Sequence, residues 1–151
     1  MQPPLTTLFT IFVVRPIRAA HRVFGDKIWP PLELLAGGLG SIFGAALRPL
    51  LRSAPDAHPL EPVMRVTNLV ESSLGIQGTD EYGPGTVRRL VHHCPFAEHL
   101  RDTPDFCMRL GFIGGQKAFS KVLPAAEYAI RSTKSQGAAC CEYSYWLKDG
   151  Q

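Results

Sequence analysis

Cysteine is absent from the first 93 residues of this 151-residue chain, and charged residues make up only 19% of it. The four cysteines all lie between residues 94 and 141, and two of them, Cys140 and Cys141, are adjacent. Secreted disulfide scaffolds are shorter and richer in cysteine, and adjacent cysteines bond to each other only with strain. The cysteine usage therefore favours a reducing compartment, which predicts a cytoplasmic protein.

Long uncharged runs are also scarce. The two main apolar stretches, 5–14 and 34–47, are uncharged for only 10 and 14 residues, whereas a membrane-spanning helix needs about 20. The net charge is +3, and residues 1–55 carry an excess of +4. Because these basic residues are spread singly among apolar ones, the sequence predicts no nucleic-acid partner.

Residues 1–52 are expected to form an apolar, basic, helical arm, and three arrangements of it remain open. The arm could be a helix pair that is buried or docks on an apolar protein partner. It could instead lie on a membrane surface, with Arg15, Arg18 and Arg22 reaching towards the headgroups. The third alternative is a true membrane span. We expect the arm to attach the protein to a membrane surface or an apolar partner, without contributing to the chemistry of the cysteines.

The segment 53–62 contains three prolines within eight residues, which predicts a linker because proline removes backbone donors and disfavours helix before it. Residues 63–151 are then expected to form a cysteine-containing α+β domain, with a small antiparallel sheet covered by helices. Alternating polarity and turn residues supply the map of that domain. The expected elements are a helix or strand at 63–70, a turn-rich segment at 75–85, a strand at 86–93, a helix from Pro104 to about Lys121, and a hairpin of 126–133 with 139–148.

Three glycines inside the predicted helix, Gly111, Gly114 and Gly115, would each cost roughly 1 kcal/mol relative to alanine. Helices that retain such residues normally approach a neighbour or a ligand closely. On the same ridge lies Cys107, while alternation in the hairpin points Cys141 inward. Cys94 follows the strand at 86–93, so we expect Cys94, Cys107 and Cys141 to meet.

Four interpretations of these thiols remain open. One thiol could be a nucleophile with His92 or His93 as its base. Cys94, Cys107 and Cys141 could bind zinc together with an imidazole, although no Cys-x-x-Cys spacing occurs. An iron–sulfur cluster would need four converging thiolates. Finally, buried cysteines can simply fill small spaces.

The stretch from about 91 to 147 resembles the L-2-amino-thiazoline-4-carboxylic acid hydrolase family. The resemblance rests on Cys94-Pro95, on Phe106-Cys107 at the start of a helix, and on Gly137-x-x-x-Cys141-x-Tyr143 in the hairpin. The same stretch is similar to 4-vinyl reductase domains, which combine a glycine-bearing helix with such a hairpin. No acidic residue follows Cys107 closely here, in contrast to the usual hydrolase pattern.

The two resemblances imply different functions. The first implies hydrolysis of a C–N bond in a small cyclic substrate, with Cys107 or Cys141 as nucleophile or metal ligand, His92 or His93 as base and Glu142 as orienting group. The second implies a non-catalytic module that binds a small molecule or a metal. The residues expected to line the small-molecule pocket are Gly111, Gly114, Gly115, Tyr128, Tyr143 and Tyr145.

Overall fold

A computed structural model of the chain describes residues 4–51 and 56–148. The helices are α1 (Pro4–Phe9), α2 (Arg15–Phe24), α3 (Trp29–Leu47), α4 (Glu61–Ser73) and α5 (Phe112–Val122). The strands are β1 (Gln77–Gly83), β2 (Thr86–His93), β3 (Ala126–Ser132) and β4 (Cys141–Leu147). Two short π-helical turns, Thr10–Val14 and Cys107–Gly111, directly precede α2 and α5. Each turn extends the helix that follows it towards the N-terminus.

The four strands form one antiparallel sheet in the order β1-β2-β4-β3. Val87 and Tyr128 both lie opposite Tyr145, so the buried faces of β2, β4 and β3 carry large side chains in one row. The strand at 86–93, the hairpin and the helix near Pro104 are confirmed, and so is the α+β fold class. The alternation of polar and apolar residues predicts these strands correctly because one face of each strand is buried and the other is exposed.

The sequence predicts a turn-rich segment at 75–85 and leaves 63–70 open between helix and strand, and the structure decides both. The turn-rich segment 75–85 contains an edge strand, β1, joined to β2 by a turn in which Gly85 has a φ of +63°. Its glycines and acidic residues are rare in strands, but an edge strand exposes much of its surface and tolerates them. The ambiguous segment 63–70 is helical and lies within α4.

The polar residues of α4 explain its ambiguous pattern. Its buried face includes Thr67 and Glu71. Glu71 accepts a hydrogen bond from the Arg89 Nε at 2.7 Å, and Asp80 accepts one from the Arg89 Nη1 at 2.6 Å. Arg89 is only 4% exposed, so α4, β1 and β2 share a buried ion-pair network.

Helices α3 and α5 touch at backbone distance. A Cβ atom added to Gly40 would overlap the carbonyl of Gly114, and one added to Gly44 would lie 2.8 Å from the Cα of Ala118. A Cβ on Gly114 would in turn contact the Ala36 carbonyl at 3.4 Å. Gly40, Gly44 and Gly114 therefore permit a close approach of the two helices. A close neighbour is one of the two reasons, beside a ligand, for which a helix retains glycines in spite of their cost in stability.

The N-terminal helices build part of the core around the cysteines, which corrects the expectation that residues 1–52 do not contribute there. Val14, Ile28 and Trp29 are buried together with Phe96, Leu100 and Phe106, and Cys94 and Cys107 pack against this cluster. Apolar side chains of the arm thus gain more by burial against this domain than by remaining separate. The linker and domain boundaries stay predictions, and residues 52–55 lie outside the described part.

A helical segment from Leu5 to Leu50 is long and apolar enough to cross a membrane by length and composition alone. In the structure its last long helix, α3, is held against α5, which carries Lys117 and Lys121. A span by α3 that kept this contact would bring the charges of α5 towards the hydrocarbon, where they are costly, and the membrane arrangements of the arm stay predictions.

Candidate functional site

Three of the four cysteines come together where the sheet meets the N-terminal end of the α5 helix. Cys94 follows β2, Cys107 opens the π-helical turn before α5, and Cys141 begins β4. The three thiols lie close enough for electrostatic interaction between Cys94 and Cys141 and between Cys107 and both others. We name Cys94, Cys107 and Cys141 the thiol cluster, and a direct meeting of the three sulfur atoms stays a prediction.

Burial keeps the thiol cluster protonated. It raises the pKa of Cys107 to about 12, and the neighbouring thiols add to the increase. Burial also raises the pKa of Cys94 and of Cys141 above the ordinary value of a thiol, although backbone N–H groups bonded to each sulfur partly offset it. At neutral pH these groups are neutral thiols, which are poor nucleophiles.

The loop between β3 and β4 closes one side of the thiol cluster. The backbone N–H of Lys134 donates to the Cys141 sulfur at 3.2 Å, and the buried Ser135 hydroxyl bonds to Cys107. Thr133, which is also buried, bonds to Ser135 at 3.0 Å. Gly137 has a φ of +93°, which lets the chain turn back into β4. The sequence predicts only a turn in this loop. Its residues are short and polar, and nothing in that pattern indicates that Ser135 is buried.

A cleft of about 790 Å³ opens beside the cluster. It lies between the segment after β2 and the loop before β4, and Cys94 is the cysteine that lines it. Its remaining lining is mixed, with His93, Glu98, His99 and Lys134 among the polar groups. Cys94 thus connects the buried thiols with a solvent-accessible opening.

The tyrosines of the sheet form an aromatic wall below α5. Tyr128 stacks on Tyr145 with ring centroids 5.5 Å apart, and its hydroxyl donates to the Gly111 carbonyl at 2.6 Å. A Cβ on Gly115 would lie 2.6 Å from that hydroxyl. Gly115 therefore makes room for Tyr128, Gly114 lies against α3, and Gly111 contributes only its carbonyl. Their expected role in contacting a ligand stays a prediction.

Tyr143 differs from the other two tyrosines. It lies on the same face of β4 but is only half-buried, as is Cys107. Burial nevertheless raises the pKa of Tyr143 well above its ordinary value, and the nearby thiols Cys141 and Cys107 raise it further.

The histidines and the glutamate expected to assist catalysis are placed elsewhere. His92 is exposed, and its Nε2 bonds to the Thr79 hydroxyl at 3.0 Å. Glu142 pairs with Arg88 at 2.8 Å on the outer face of the sheet. His93 is exposed at the mouth of the cleft. Within the described ranges, no imidazole or carboxylate bonds to the thiol cluster, because strand alternation turns His92 and Glu142 away from it.

The zinc and iron–sulfur interpretations also lack a complete ligand set. Among residues 4–51 and 56–148, no group of three or more His, Cys, Asp or Glu side chains is arranged to hold a metal ion. Within those ranges no imidazole accompanies the three thiols, whereas structural zinc sites use four converging ligands. The structure therefore does not support Cys94, Cys107 and Cys141 as a metal site.

Comparison with known proteins gives one informative likeness. No family model matches the chain, and no curated protein does. Among solved structures, it is similar to the phenol-responsive sensory domain of the transcription activator PoxR, crystallised with phenol. The TM-score is 0.60 at 10% sequence identity, and the match covers 97% of this chain and 76% of that one. At this identity the likeness shows a shared fold.

Proposed function

We propose that this protein binds a small aromatic molecule bearing one polar group between Tyr143 and the thiol cluster, at the inner end of the cleft beside Cys94. The observation that carries the proposal is the cleft of about 790 Å³ that Cys94 and Ser135 line, next to the half-buried Cys107 and Tyr143. A ligand site of this kind is mostly apolar with a few polar groups that fix orientation. The buried Ser135 hydroxyl and the Tyr143 hydroxyl are the groups that would orient the polar substituent.

The fold supports the same proposal. The similar sensory domain responds to phenol and was crystallised with it, so a chain of this shape can enclose a ring of that size. The cleft beside Cys94 provides a route from solvent to the cluster. Neutral thiols suit such a pocket, because a protonated cysteine behaves as a small, polarisable apolar group.

The hydrolytic alternative, implied by the resemblance to the thiazoline-carboxylate hydrolases, has less support. It needs a thiolate or a metal-bound water, and a base within about 3 Å of the reacting proton. The raised pKa of Cys107 and the outward positions of His92 and Glu142 weigh against both requirements. We therefore place binding before catalysis.

Isothermal titration calorimetry with phenol, benzyl alcohol and benzene tests the binding function. We expect saturable binding of one molecule per chain, with phenol and benzyl alcohol binding more tightly than benzene. Cys107→Leu should fill the space and weaken binding by about tenfold or more, which corresponds to about 1.4 kcal/mol. The matched control is Cys140→Leu, since Cys140 is a cysteine outside the cluster.

Three results would count against the proposal. Absence of binding by all three probes to the folded wild-type chain would overturn it. Turnover of L-2-amino-thiazoline-4-carboxylate that is lost in Cys107→Ser, with the fold retained by circular dichroism, would replace it with the hydrolytic function. Equal weakening by the Cys107→Leu and Cys140→Leu variants would move the site away from the cluster.

A further inference from the structure

The outward face of α3 is apolar along its whole length. Its large side chains are between 39% and 80% exposed, and they are Leu34, Leu35, Leu39, Ile42 and Phe43. The one charged residue of the helix, Glu33, pairs with Arg109 of the π-helical turn before α5. We name these five apolar side chains the α3 stripe. Its opposite side is the glycine face that contacts α5.

We propose that the α3 stripe is the contact surface of a symmetric dimer of this chain. Its five side chains expose roughly 600 Å², at the upper end of the largest apolar patch on an ordinary monomer. With Phe24 of α2, which is 62% exposed and lines a cleft next to α3, the area is on the order of 750 Å². A standard stable interface needs about 800 Å² from each partner.

The charge pattern favours a second copy over other occupants. A two-fold contact places each residue of a face against the same face of the partner, so like charges on it would repel. The α3 stripe has no charge to repel or to leave buried and unpaired. Homodimer interfaces are correspondingly the most apolar class, resembling a protein core divided in two.

A cleft beside the stripe adds complementary shape. It has a volume of about 490 Å³, lies between α2 and α3, and is lined almost entirely by apolar groups, including Ile17, Phe24, Pro31 and Leu32. Pro31 lies one helical turn before Leu34 and Leu35, so the cleft adjoins the stripe. A leucine or phenylalanine side chain of a second copy fits a space of this kind.

A lipid surface is the main competing occupant, and α3 is a poor match for it. Helices that lie on membranes carry a strongly charged face opposite the apolar one. The face of α3 opposite the stripe instead consists of glycines packed on α5. Glu33 is the one charged residue within α3, so the helix itself offers no cations to anionic headgroups.

The test is the mass of the full chain in solution. Analytical ultracentrifugation from about 1 to about 100 μM, the range in which interfaces of this size can dissociate, should show twice the chain mass of 16.6 kDa. Leu39→Glu should weaken the dimer by more than about 30-fold, as loss of an interface hot spot does. Leu69→Glu is the matched control on α4, where Leu69 is similarly exposed, and should leave the dimer intact.

Folding of each variant is checked by circular dichroism, and Leu34→Lys replaces Leu39→Glu if the latter fails to fold. A wild-type monomer over the whole range would overturn the proposal, and so would a dimer insensitive to both stripe variants. Flotation of a monomeric wild-type chain with vesicles of phosphatidylcholine and phosphatidylglycerol would assign the stripe to a lipid surface and equally overturn it. The proposal does not rest on the ligand site.

Discussion

The sheet-containing half and the N-terminal helical half of this chain are held together in different ways. In the sheet half, buried polar groups are paired with one another: Arg89 with Glu71 and Asp80, and Tyr128 with the Gly111 carbonyl. In the helical half, the interior contact is a close approach of glycine backbones, and the outside is apolar.

This difference teaches where each half is vulnerable. A buried charge network fails when one partner is removed, because the remaining charge is left without compensation. A glycine contact fails when an atom is added, because backbone atoms cannot move aside as the end of a flexible side chain can. Each half can be tested by a substitution that has a matched control in the same element. The border between the halves can be tested by a change of pH.

The largest expected effect is in the sheet half. Arg89→Ala leaves Glu71 and Asp80 without their buried cation and should lower the free energy of unfolding by about 3–5 kcal/mol. The neighbouring Arg88→Ala removes exposed pairs with Glu142 and Glu81 and should cost far less, because solvent screens both pairs. Urea unfolding of both variants measures the difference, and equal losses would show that the buried network does not hold the sheet half together.

The second prediction concerns the helical half. Gly40→Ala places a Cβ against the Gly114 carbonyl and should destabilise the protein by about 1–3 kcal/mol, because α3 and α5 must move apart. Gly38→Ala on the same helix meets no atom within 4 Å and should stabilise it by about 0.5–1 kcal/mol. Opposite signs in thermal unfolding would sharpen the comparison, whereas stabilisation by both substitutions would contradict the close contact.

At neutral pH the smallest effect is expected at the border between the halves, where Cys107 lies, because the effect emerges only in alkaline solution. Its pKa is about 12 in the folded chain and 9.0 in an unperturbed thiol. Since the folded value is raised, the stabilising contribution is complete below pH 9 and is lost as the pH rises towards 12. The slope from this one group is at most about 1.4 kcal/mol per pH unit.

Cys107→Val should flatten that alkaline loss of stability relative to the wild type, while the two curves run parallel between pH 6 and 8. Denaturant unfolding at a series of pH values provides the measurement. Curves that stay parallel above pH 9 would mean that the Cys107 thiol is better solvated than the structure indicates.

The sequence predicted the parts of the fold whose polarity follows a simple period. The hairpin, β2 and the helix near Pro104 each bury one apolar face, so their pattern is visible in the sequence. The pattern of α4 was hidden because Thr67 and Glu71 are buried on its core face, where their partners Tyr145 and Arg89 come from other elements. No local pattern contains such long-range partners.

For the candidate site, the sequence predicted which three thiols are grouped, but it also assigned His92 and Glu142 to them, and these two side chains lie on the outer face of the sheet. Cys141 points inward as alternation requires, whereas His92 follows the same rule to the outside. The sequence predicted that the glycines of the α5 helix approach a neighbour or a ligand closely, and the neighbours are α3 for Gly114 and Tyr128 for Gly115. Only the three-dimensional arrangement identifies which partner a glycine face receives.

The chain contains two tryptophans, and the fold assigns one to each half. Trp29 is fully buried beside Arg109, whereas Trp146 lies on β4, on the outer face of the sheet, near Arg131. The indole fluorescence of Trp29→Phe and Trp146→Phe variants therefore reports the melting of one half at a time. Superimposable melting curves of the two variants would identify a single cooperative unit. Tryptophan fluorescence therefore tests whether the residues before 53 and those after 62 unfold as two domains.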